Sequence, residues 1–373
     1  MKIEQDIMTP LLQWFENNKR ILPWRESRDP YRIWVSEIML QQTRVEAVKP
    51  YYNRFMEELP TVSALSSAKE ERLLKLWEGL GYYNRVRNLQ KAAIIIEEEY
   101  NGKFPEEYEL LLKLPGIGEY TAGAVASIAF EKPVAAVDGN VLRIISRLCL
   151  YDEDVLSQKA KKEVKQVLEE IMIAYANNHT DSTLLLNGSI NQALMELGAT
   201  ICVPNGAPHC EACPWKNLCE ANKQNLWSEY PKKAPKKKRR IEEKTVLIVG
   251  DGDKLLLHKR KDKGLLAGMY ELPSIEGHVS ENSIVDYLRE LSLNPLRIKS
   301  CGKAKHIFSH IEWHMEGYQV VIEPIGFDSK TDIERDQLLG KRDMGFIFFE
   351  DIKKEYAIPS AFSAYTEYMD IHV

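Results

Sequence analysis

The chain has 373 residues, and its 50 basic and 55 acidic side chains give a formal net charge of −5. A hydrophobic fraction of 44% supplies material for a core, which excludes a chain that is disordered throughout. The charge excludes a globally basic DNA-binding protein, although it does not exclude a local basic face, and the length predicts two or three domains.

The N-terminal region contains no apolar segment of the kind that directs secretion, and no apolar run reaches the ~18 residues that a membrane helix needs. We therefore expect a cytoplasmic protein with no membrane partner.

Residues 1–230 show the periodicity of helices. Apolar residues recur at three- and four-residue steps, and short segments containing proline separate the runs. The helix predicted around residues 34–43 is strongly apolar and carries one carboxylate, Glu37. Glu37 could face solvent on an amphipathic helix. Alternatively, it could be a buried acid whose raised pKa suits it to donating a proton.

A glycine hairpin follows at residues 114–118, with the sequence Leu-Pro-Gly-Ile-Gly, between two apolar helices. The glycines allow positive φ and a close approach to a ligand, and the next helix begins with free N–H groups. Such a turn either seats a phosphate with backbone groups alone or merely joins two helices.

Asp138 precedes a predicted helix over residues 141–148. The simplest role for it is an N-cap. A carboxylate at a helix N-terminus is expected to stay ionised with a lowered pKa, and an ionised carboxylate near a reacting sugar stabilises an oxocarbenium-like centre. With Glu37 as a neutral acid, Asp138 would complete a pair of carboxyl groups in opposed environments.

The cysteines cluster in one loop. Four of the six lie within residues 202–219, as Cys202, Cys210, Cys213 and Cys219. In a cytosolic chain such a cluster indicates metal binding rather than disulfides. Compact spacing with a single C-x-x-C favours a cubane iron–sulfur cluster, and zinc is the alternative.

The composition changes after Tyr230. Residues 231–240 contain seven basic residues, which is typical of a solvated linker, although it also fits a segment that touches phosphates or a weak nuclear-import string. From residue 241 the pattern favours strands: a β-rich run at 245–249, a Gly-Asp-Gly-Asp turn and a second run at 254–258. Residues 241–373 are therefore predicted to form a separate α+β domain.

These features together resemble the helix-hairpin-helix DNA glycosylases that carry an iron–sulfur cluster. Four segments are similar to the adenine DNA glycosylases of the MutY family, which remove adenine mispaired with 8-oxoguanine. The segments are Leu-Pro-Trp-Arg at 22–25, the run at 36–43, Trp-Glu-Gly-Leu-Gly-Tyr-Tyr at 77–83 and Val-Asp-Gly-Asn at 137–140.

The resemblance implies a role for each matching residue. Glu37 would protonate the adenine and handle the attacking water, Asp138 would stabilise the sugar cation, and Tyr120 and Asn140 would support these carboxyl groups. Members that also cut the strand carry a lysine where this chain has Tyr120, so the resemblance implies purely hydrolytic chemistry.

The resemblance also implies substrate and cofactor contacts. It predicts a 4Fe-4S cluster on the four cysteines; the family spaces the first two cysteines by six residues, and this chain has seven between them. The substrate would be duplex DNA with adenine opposite 8-oxoguanine or G, bound by a monomer. Trp24, Arg25 and Gln192 would line the adenine pocket. The remaining predicted DNA-binding residues are Gln42, Thr43, Tyr82, Gly116 and Gly118.

The C-terminal region resembles the Nudix-like domain with which family members recognise 8-oxoguanine. Ser309 and His310 would probe the oxidised base, and Phe308 would place the loop; we call residues 308–310 the recognition loop. Around residues 287–292 the chain lacks the glutamate cluster of catalytic Nudix domains, so magnesium-dependent hydrolysis is not expected.

The predicted architecture is thus multidomain. It has a mainly α helix-hairpin-helix glycosylase region (1–230, with the hairpin at about 110–125 and the cluster loop at 202–219), a basic linker (231–240) and a Nudix-like domain (241–373). Two other functions stay open from sequence: a thymine or uracil mismatch glycosylase of the same superfamily, and a non-catalytic iron–sulfur DNA-binding protein.

Overall fold

A computed structural model of the chain describes residues 3, 6–179, 186–235, 238–325 and 330–369. Its contacts divide the chain into two compact units. The first unit comprises Met1–Ala68 and Arg87–Pro235, and the second comprises Lys69–Val86 and Lys236–Val373. Among the described residues, none of the helices combines the length and apolar composition needed to cross a membrane.

The chain up to residue 223 is helical, as the periodicity predicted. The α-helices are α1 (Met8–Asn18), α2 (Pro30–Leu40), α3 (Val45–Glu58), α4 (Val62–Ser66), α5 (Glu70–Leu76), α6 (Asn84–Tyr100), α7 (Tyr108–Leu111), α8 (Glu119–Phe130), α9 (Gly139–Cys149), α10 (Gln158–Asn178), α11 (Leu186–Thr200) and α12 (Glu220–Lys223). Short 3-10 turns lie at Pro23–Arg25 and Cys210–Ala212.

The helix that carries Glu37 begins with a strong local signal. The Asp29 side chain accepts a hydrogen bond from the Tyr31 N–H, and Pro30 occupies the first turn, where its missing N–H costs nothing. The helix is apolar almost all the way round and is buried along 33–39. A helix with this pattern belongs in the interior, where α2 packs against α8.

The second unit is built on a mixed sheet. Its strands are β1 (Arg240–Asp251), β2 (Lys254–Lys259), β3 (Tyr270–Glu271), β4 (Ser274–Glu276), β5 (Pro295–Ile307), β6 (Ile311–Ile322) and β7 (Met344–Phe348). The order is β3-β2-β1-β6-β5, with β4 paired to β1 and β7 paired to β2. β1 and β6 are parallel, and the other pairs are antiparallel.

Apolar residues fill both faces of this sheet. Val246 and Ile248 point into one core with Trp313, whereas Leu247 and Val249 point into the other. A strand covered on both faces needs a continuous apolar run rather than an alternating one, which explains the β-rich segment of the sequence. The remaining elements of this unit are α13 (Glu281–Glu290), α14 (Lys330–Lys341), α15 (Phe349–Glu355) and a 3-10 segment (Ser360–Tyr368).

Residues 69–86 group with the sheet, which the sequence does not indicate. Lys75 donates to the Tyr356 carbonyl at 3.2 Å, and the Ile358 N–H donates to Glu78 at 2.9 Å. The predicted linker also has structure at its end, because Arg240 lies in β1. Residues 236–237 of that linker lie outside the described residues.

Candidate active site

One cavity of about 180 Å³ in the first unit brings together residues from distant parts of the sequence. α2, α8, α11 and the start of α9 contribute to its walls. Eight residues that were predicted for catalysis, adenine binding or DNA contact line it: Trp24, Arg25, Glu37, Thr43, Tyr120, Asp138, Asn140 and Gln192.

Glu37 lies on α2 and lines this cavity. Its side chain is 6% exposed, so the solvent-facing interpretation is wrong. The Tyr120 hydroxyl donates a hydrogen bond to Glu37 Oε2 at 2.7 Å. Burial raises the pKa of Glu37 to about 7, with the nearby Asp138 charge acting in the same direction and the Tyr120 hydrogen bond opposing it. Near neutral pH a large fraction of Glu37 therefore still carries the proton that a general acid needs.

Asp138 is the N-cap of α9, as predicted. Its Oδ1 accepts hydrogen bonds from the N–H groups of Asn140 at 2.9 Å and Val141 at 2.8 Å, and its Oδ2 accepts one from Asn140 Nδ2 at 2.7 Å. The expected lowering of its pKa is wrong. Burial raises the pKa of Asp138, and the cap hydrogen bonds and the Arg143 charge only oppose that rise.

Asn140 connects this carboxylate to the cysteine loop. Its Oδ1 accepts a hydrogen bond from Arg143 Nη2 at 2.9 Å, and Arg143 Nε donates to the Cys202 carbonyl at 2.8 Å. Gly198 lies so close that a Cβ there would meet the Asn140 Cβ at 2.6 Å. Asn140 is therefore held from both sides, which fixes the orientation of its contact with Asp138.

The predicted adenine-binding residues Trp24, Arg25 and Gln192 line the same cavity. Trp24 is 7% exposed and packs edge-on against Tyr52 at 5.4 Å, so it is a core residue as well as a lining residue. Gln192 donates to the Gly188 carbonyl at 3.3 Å within α11. The wall thus combines an aromatic surface, a guanidinium at Arg25 and an amide, which are groups able to contact a planar base.

Two charged residues of this cavity, Arg20 and Glu196, were not predicted from the sequence. Glu196 follows Gln192 by four positions on α11, which places both on one helix face. This four-residue spacing from Gln192 is the sequence feature that could have identified Glu196 as a cavity residue. Glu196 is 0% exposed and is ion-paired with both Arg20 and Arg25.

The two hairpin glycines differ in conformation. Gly116 has φ +76°, and a Cβ there would meet the Asn88 Cβ at 2.7 Å. Gly118 has φ −93° and is the N-cap of α8, with nothing within 4 Å of a Cβ. Positive φ therefore explains Gly116 alone, whereas Gly118 leaves open space beside the free N–H groups of α8.

We expect Gly116→Ala and Gly118→Ala to separate stability from DNA binding. Gly116→Ala should lower the free energy of unfolding by about 1–3 kcal/mol, because alanine is strained at this φ and clashes with Asn88. Gly118→Ala should cost less than about 1 kcal/mol and weaken duplex affinity, because its methyl group would fill the open space through which the predicted phosphate would approach. Thermal melting and fluorescence anisotropy test this, and equal losses of melting temperature would contradict it.

Two predicted DNA-contacting residues have left-handed backbones without being glycine. Gln42, just after α2, has φ +58°, and Tyr82 has φ +50°. Tyr82 is 50% exposed, so simple core packing does not account for it. An exposed side chain on such a backbone is typical of a functional position.

The recognition loop is fixed at its base and exposed at its tip. The Phe308 ring packs against His306 at 4.6 Å and Trp313 at 4.8 Å, and its N–H donates to the Ile311 carbonyl at 2.8 Å. Ser309 and His310 are exposed. Within this second unit the Tyr82 and Ser309 hydroxyls lie 3.3 Å apart, at hydrogen-bond distance. The structure thus brings Tyr82, a predicted DNA-binding residue, to the predicted reader of the oxidised base.

The four clustered cysteines line one cavity in the first unit, together with apolar residues such as Ile144, Leu197 and Trp215. None of the four forms a disulfide, and Arg147 Nη1 lies 3.3 Å from Cys202 Sγ. In the described part of the chain, no group of three or more His, Cys, Asp or Glu side chains is arranged to hold a metal ion. The structure nevertheless brings the four predicted cluster ligands to one cavity.

Comparison with known proteins places this site in a family. Residues 35–172 match the HhH-GPD superfamily of base excision DNA repair proteins, and residues 245–368 match the NUDIX domain. An adenine DNA glycosylase of Rattus norvegicus is 33% identical, with 84% of this chain and 70% of the relative covered. One of Buchnera aphidicola subsp. Baizongia pistaciae is 32% identical, with 86% of this chain and 88% of the relative covered. The chain belongs to the adenine DNA glycosylase family.

As an adenine DNA glycosylase, the chain is an enzyme of base excision repair, which confirms the functional class that its motifs predicted. The predicted fold class is confirmed too, with a helical domain followed by a Nudix-like domain. A solved thermostable thymine-DNA glycosylase is also similar, with 28% identity and a TM-score of 0.50 over 58% of this chain and 95% of that chain. The adenine glycosylase relatives, in contrast, match most of this chain, including its second domain.

Proposed function

We propose that this adenine DNA glycosylase hydrolyses the N-glycosidic bond of adenine opposite 8-oxoguanine or G in duplex DNA. The observation that carries the proposal is a buried Glu37, with a pKa of about 7, in one cavity with Asp138. The bond is inaccessible to this cavity while the adenine is stacked, so the nucleotide must be flipped out of the duplex. Trp24, Arg25 and Gln192 would receive the base.

In this proposal Glu37 donates its proton to N7 of adenine as the glycosidic bond breaks. The bonding electrons leave with the base, and Asp138 stabilises the sugar cation. Water then adds to C1′ and gives up a proton, which Glu37 accepts, so the acid is regenerated. Tyr120, whose pKa is raised by burial, stays protonated and orients Glu37.

We further propose that the enzyme releases the base without cutting the strand. Tyr120 occupies the position at which lyase-active members carry lysine. The cavity of about 180 Å³ that contains Glu37 and Asp138, which we call the adenine cavity, has no lysine among its described lining residues. Lys161 and Lys165 line an adjacent groove that shares Tyr120 and Asp138 with this cavity, and the Lys165 amine contacts Tyr108 and Glu169. Without an amine beside the sugar carbon, no Schiff base forms and the strand stays intact.

We also propose DNA contacts, an oligomeric state and a cellular location for this enzyme. Gln42 and Tyr82 would wedge into the duplex, and Thr43 would contact the DNA. The hairpin around Gly116 and Gly118 would hold a phosphate, and the recognition loop would read 8-oxoguanine. We also propose that the enzyme acts as a monomer. We place the enzyme in the cytoplasm, associated with the nucleoid when it is bound to DNA.

The cysteine loop would hold a 4Fe-4S cluster. Cys202, Cys210, Cys213 and Cys219 would be its ligands, and Arg147 would donate a hydrogen bond to the Cys202 sulfur. When bound, the cluster would cross-link the loop. The Arg143 contact with the Cys202 carbonyl would then connect an ordered loop to Asn140.

The test is single-turnover cleavage of a labelled duplex with A opposite 8-oxoguanine, G or T, analysed before and after hot alkali. Adenine loss that is fastest opposite 8-oxoguanine and that requires alkali for scission supports the proposal. Tight binding without adenine loss would overturn it in favour of a binding protein. Loss of thymine or uracil from a G·T or G·U duplex assayed alongside would favour the mismatch-glycosylase function.

The Tyr82–Ser309 contact makes a further prediction about substrate choice. Ser309→Ala should reduce the preference for 8-oxoguanine over G by roughly 3- to 10-fold, about one hydrogen bond, because the probing hydroxyl is lost. Tyr82→Phe removes the other hydroxyl of the same pair and is the matched control. A smaller effect of Tyr82→Phe would show that Ser309 contacts the base itself. No change of preference in Ser309→Ala would contradict the reader role.

A further inference from the structure

Glu196 is a buried carboxylate in the adenine cavity to which the proposed chemistry gives no role. It lies on α11, and its side chain is fully buried. A buried charge is costly unless it is matched by partners, so its partners define what it does.

Those partners are two arginines. Glu196 Oε1 accepts from the Arg20 backbone N–H at 3.2 Å and from Arg20 Nε at 2.6 Å. Glu196 Oε2 accepts from Arg20 Nη2 at 3.0 Å and from Arg25 Nη2 at 2.9 Å. Four donors occupy the acceptor positions of the carboxylate. Its oxygens are therefore committed to the arginines rather than open to a base.

Arg25 is held firmly by this arrangement. Besides its bond to Glu196, its Nη1 donates to the Arg20 carbonyl at 3.2 Å, and its guanidinium lies 5.4 Å from the centre of the Phe15 ring. Its side chain is 15% exposed. The guanidinium thus has one position at the cavity wall, which suits a group that must meet a flat base in a single orientation.

The charges around Glu37 come from every side of the cavity. Tyr120 on α8 is neutral, and Asp138 at the start of α9 is the acidic neighbour. Arg25 on the 3-10 turn is the basic neighbour, and its charge favours the ionised form of Glu37. Arg20 and Glu196 are linked to Arg25 by the contacts described above, so the three-residue cluster carries a net charge of +1 rather than +2.

We propose that Glu196 is a positioning residue that fixes Arg25 at the adenine cavity and offsets its charge, so that Glu37 keeps the proton it must donate. The inference rests on the proposed acid role of Glu37. Without the Glu196 charge, two uncompensated arginines would draw Glu37 towards its ionised form, and the acid would be lost near neutral pH.

The experiment is a titration of the Glu37 carboxyl in the free protein by ¹³C NMR with labelled glutamate, the signal being identified by its loss in Glu37→Gln. In Glu196→Gln, which keeps the shape and removes the charge, the midpoint should fall by about one pH unit. Arg20→Gln combined with Glu196→Gln should return it towards the parent value, because the net charge is again +1. Glu196→Asp should also stay near the parent.

An unchanged midpoint in Glu196→Gln would overturn the inference, and so would a double variant that titrates like the single one. If Glu196→Gln does not fold, Arg25→Gln is the complementary test. It removes a positive charge from the cluster rather than a negative one, so the midpoint of the Glu37 titration should rise. The high-pH limit of single-turnover excision should move with the NMR midpoint, whereas a merely structural role would lower the rate at every pH. If the parent excises nothing, the proposed function fails, and the NMR titration still decides the role of Glu196.

Discussion

Glu37→Gln should lower the single-turnover rate of adenine excision by about 10²–10⁴-fold while duplex affinity stays near that of the parent. Glutamine keeps the size of the side chain and can still accept the hydrogen bond from Tyr120, which donates at 2.7 Å in the parent. What it lacks is the acidic proton. Excision is measured by alkaline cleavage of a labelled strand, and affinity is measured by fluorescence anisotropy.

The same substitution should stabilise the protein at alkaline pH. Because the pKa of Glu37 is raised to about 7 in the folded state, the folded protein binds more protons than the unfolded chain between pH 4.5 and 7. The parent should therefore lose about 3 kcal/mol of unfolding free energy over that interval, and Glu37→Gln should not. Melting temperatures at pH 5 and pH 8 give the comparison. A variant that excises normally, or that loses stability with pH like the parent, would show that Glu37 is not a buried acid.

Asp138→Asn should reduce excision by about 10²–10³-fold, because the neutral amide no longer stabilises the sugar cation. Asparagine is a good N-cap, and its oxygen can still accept from the Asn140 and Val141 N–H groups. The free energy of unfolding should therefore change little. The readouts are the single-turnover rate and the thermal melt.

Asp138→Ala is the matched control, since it removes both the charge and the cap. It should lose excision to a similar extent and should also lose about 1 kcal/mol of stability, because two N–H groups of α9 lose their acceptor. If Asp138→Asn excised adenine at the parent rate, the residue would be a cap and nothing more.

Much of the site was predictable because its signals are local. The Asp138 cap depends on N–H groups two and three residues away. The left-handed backbone conformation at Gly116 depends on that residue being glycine. Apolar periodicity distinguished the helical region from the strand region, since a helix or strand repeats over a few residues. The sequence also shows directly that position 120 holds tyrosine rather than lysine.

The electrostatics of the site were less predictable. The cap hydrogen bonds of Asp138 act as expected, but burial outweighs them, and the sequence does not record how deeply α9 is covered. Glu196 escaped notice for the same reason. Its helix spacing from Gln192 was visible, but its partner Arg20 lies 176 residues away.

By itself, the sequence determined the helical and strand regions, the cap of α9, the order of the motifs and the family to which they belong. Only the tertiary structure decided that Glu37 is buried, that Arg20 and Arg25 share one buried carboxylate, and that residues 69–86 group with the sheet. The physical reason is the sequence separation between the residues that interact. Backbone torsions and caps are set by neighbours in sequence, whereas desolvation and charge pairing depend on which distant segments pack together in space.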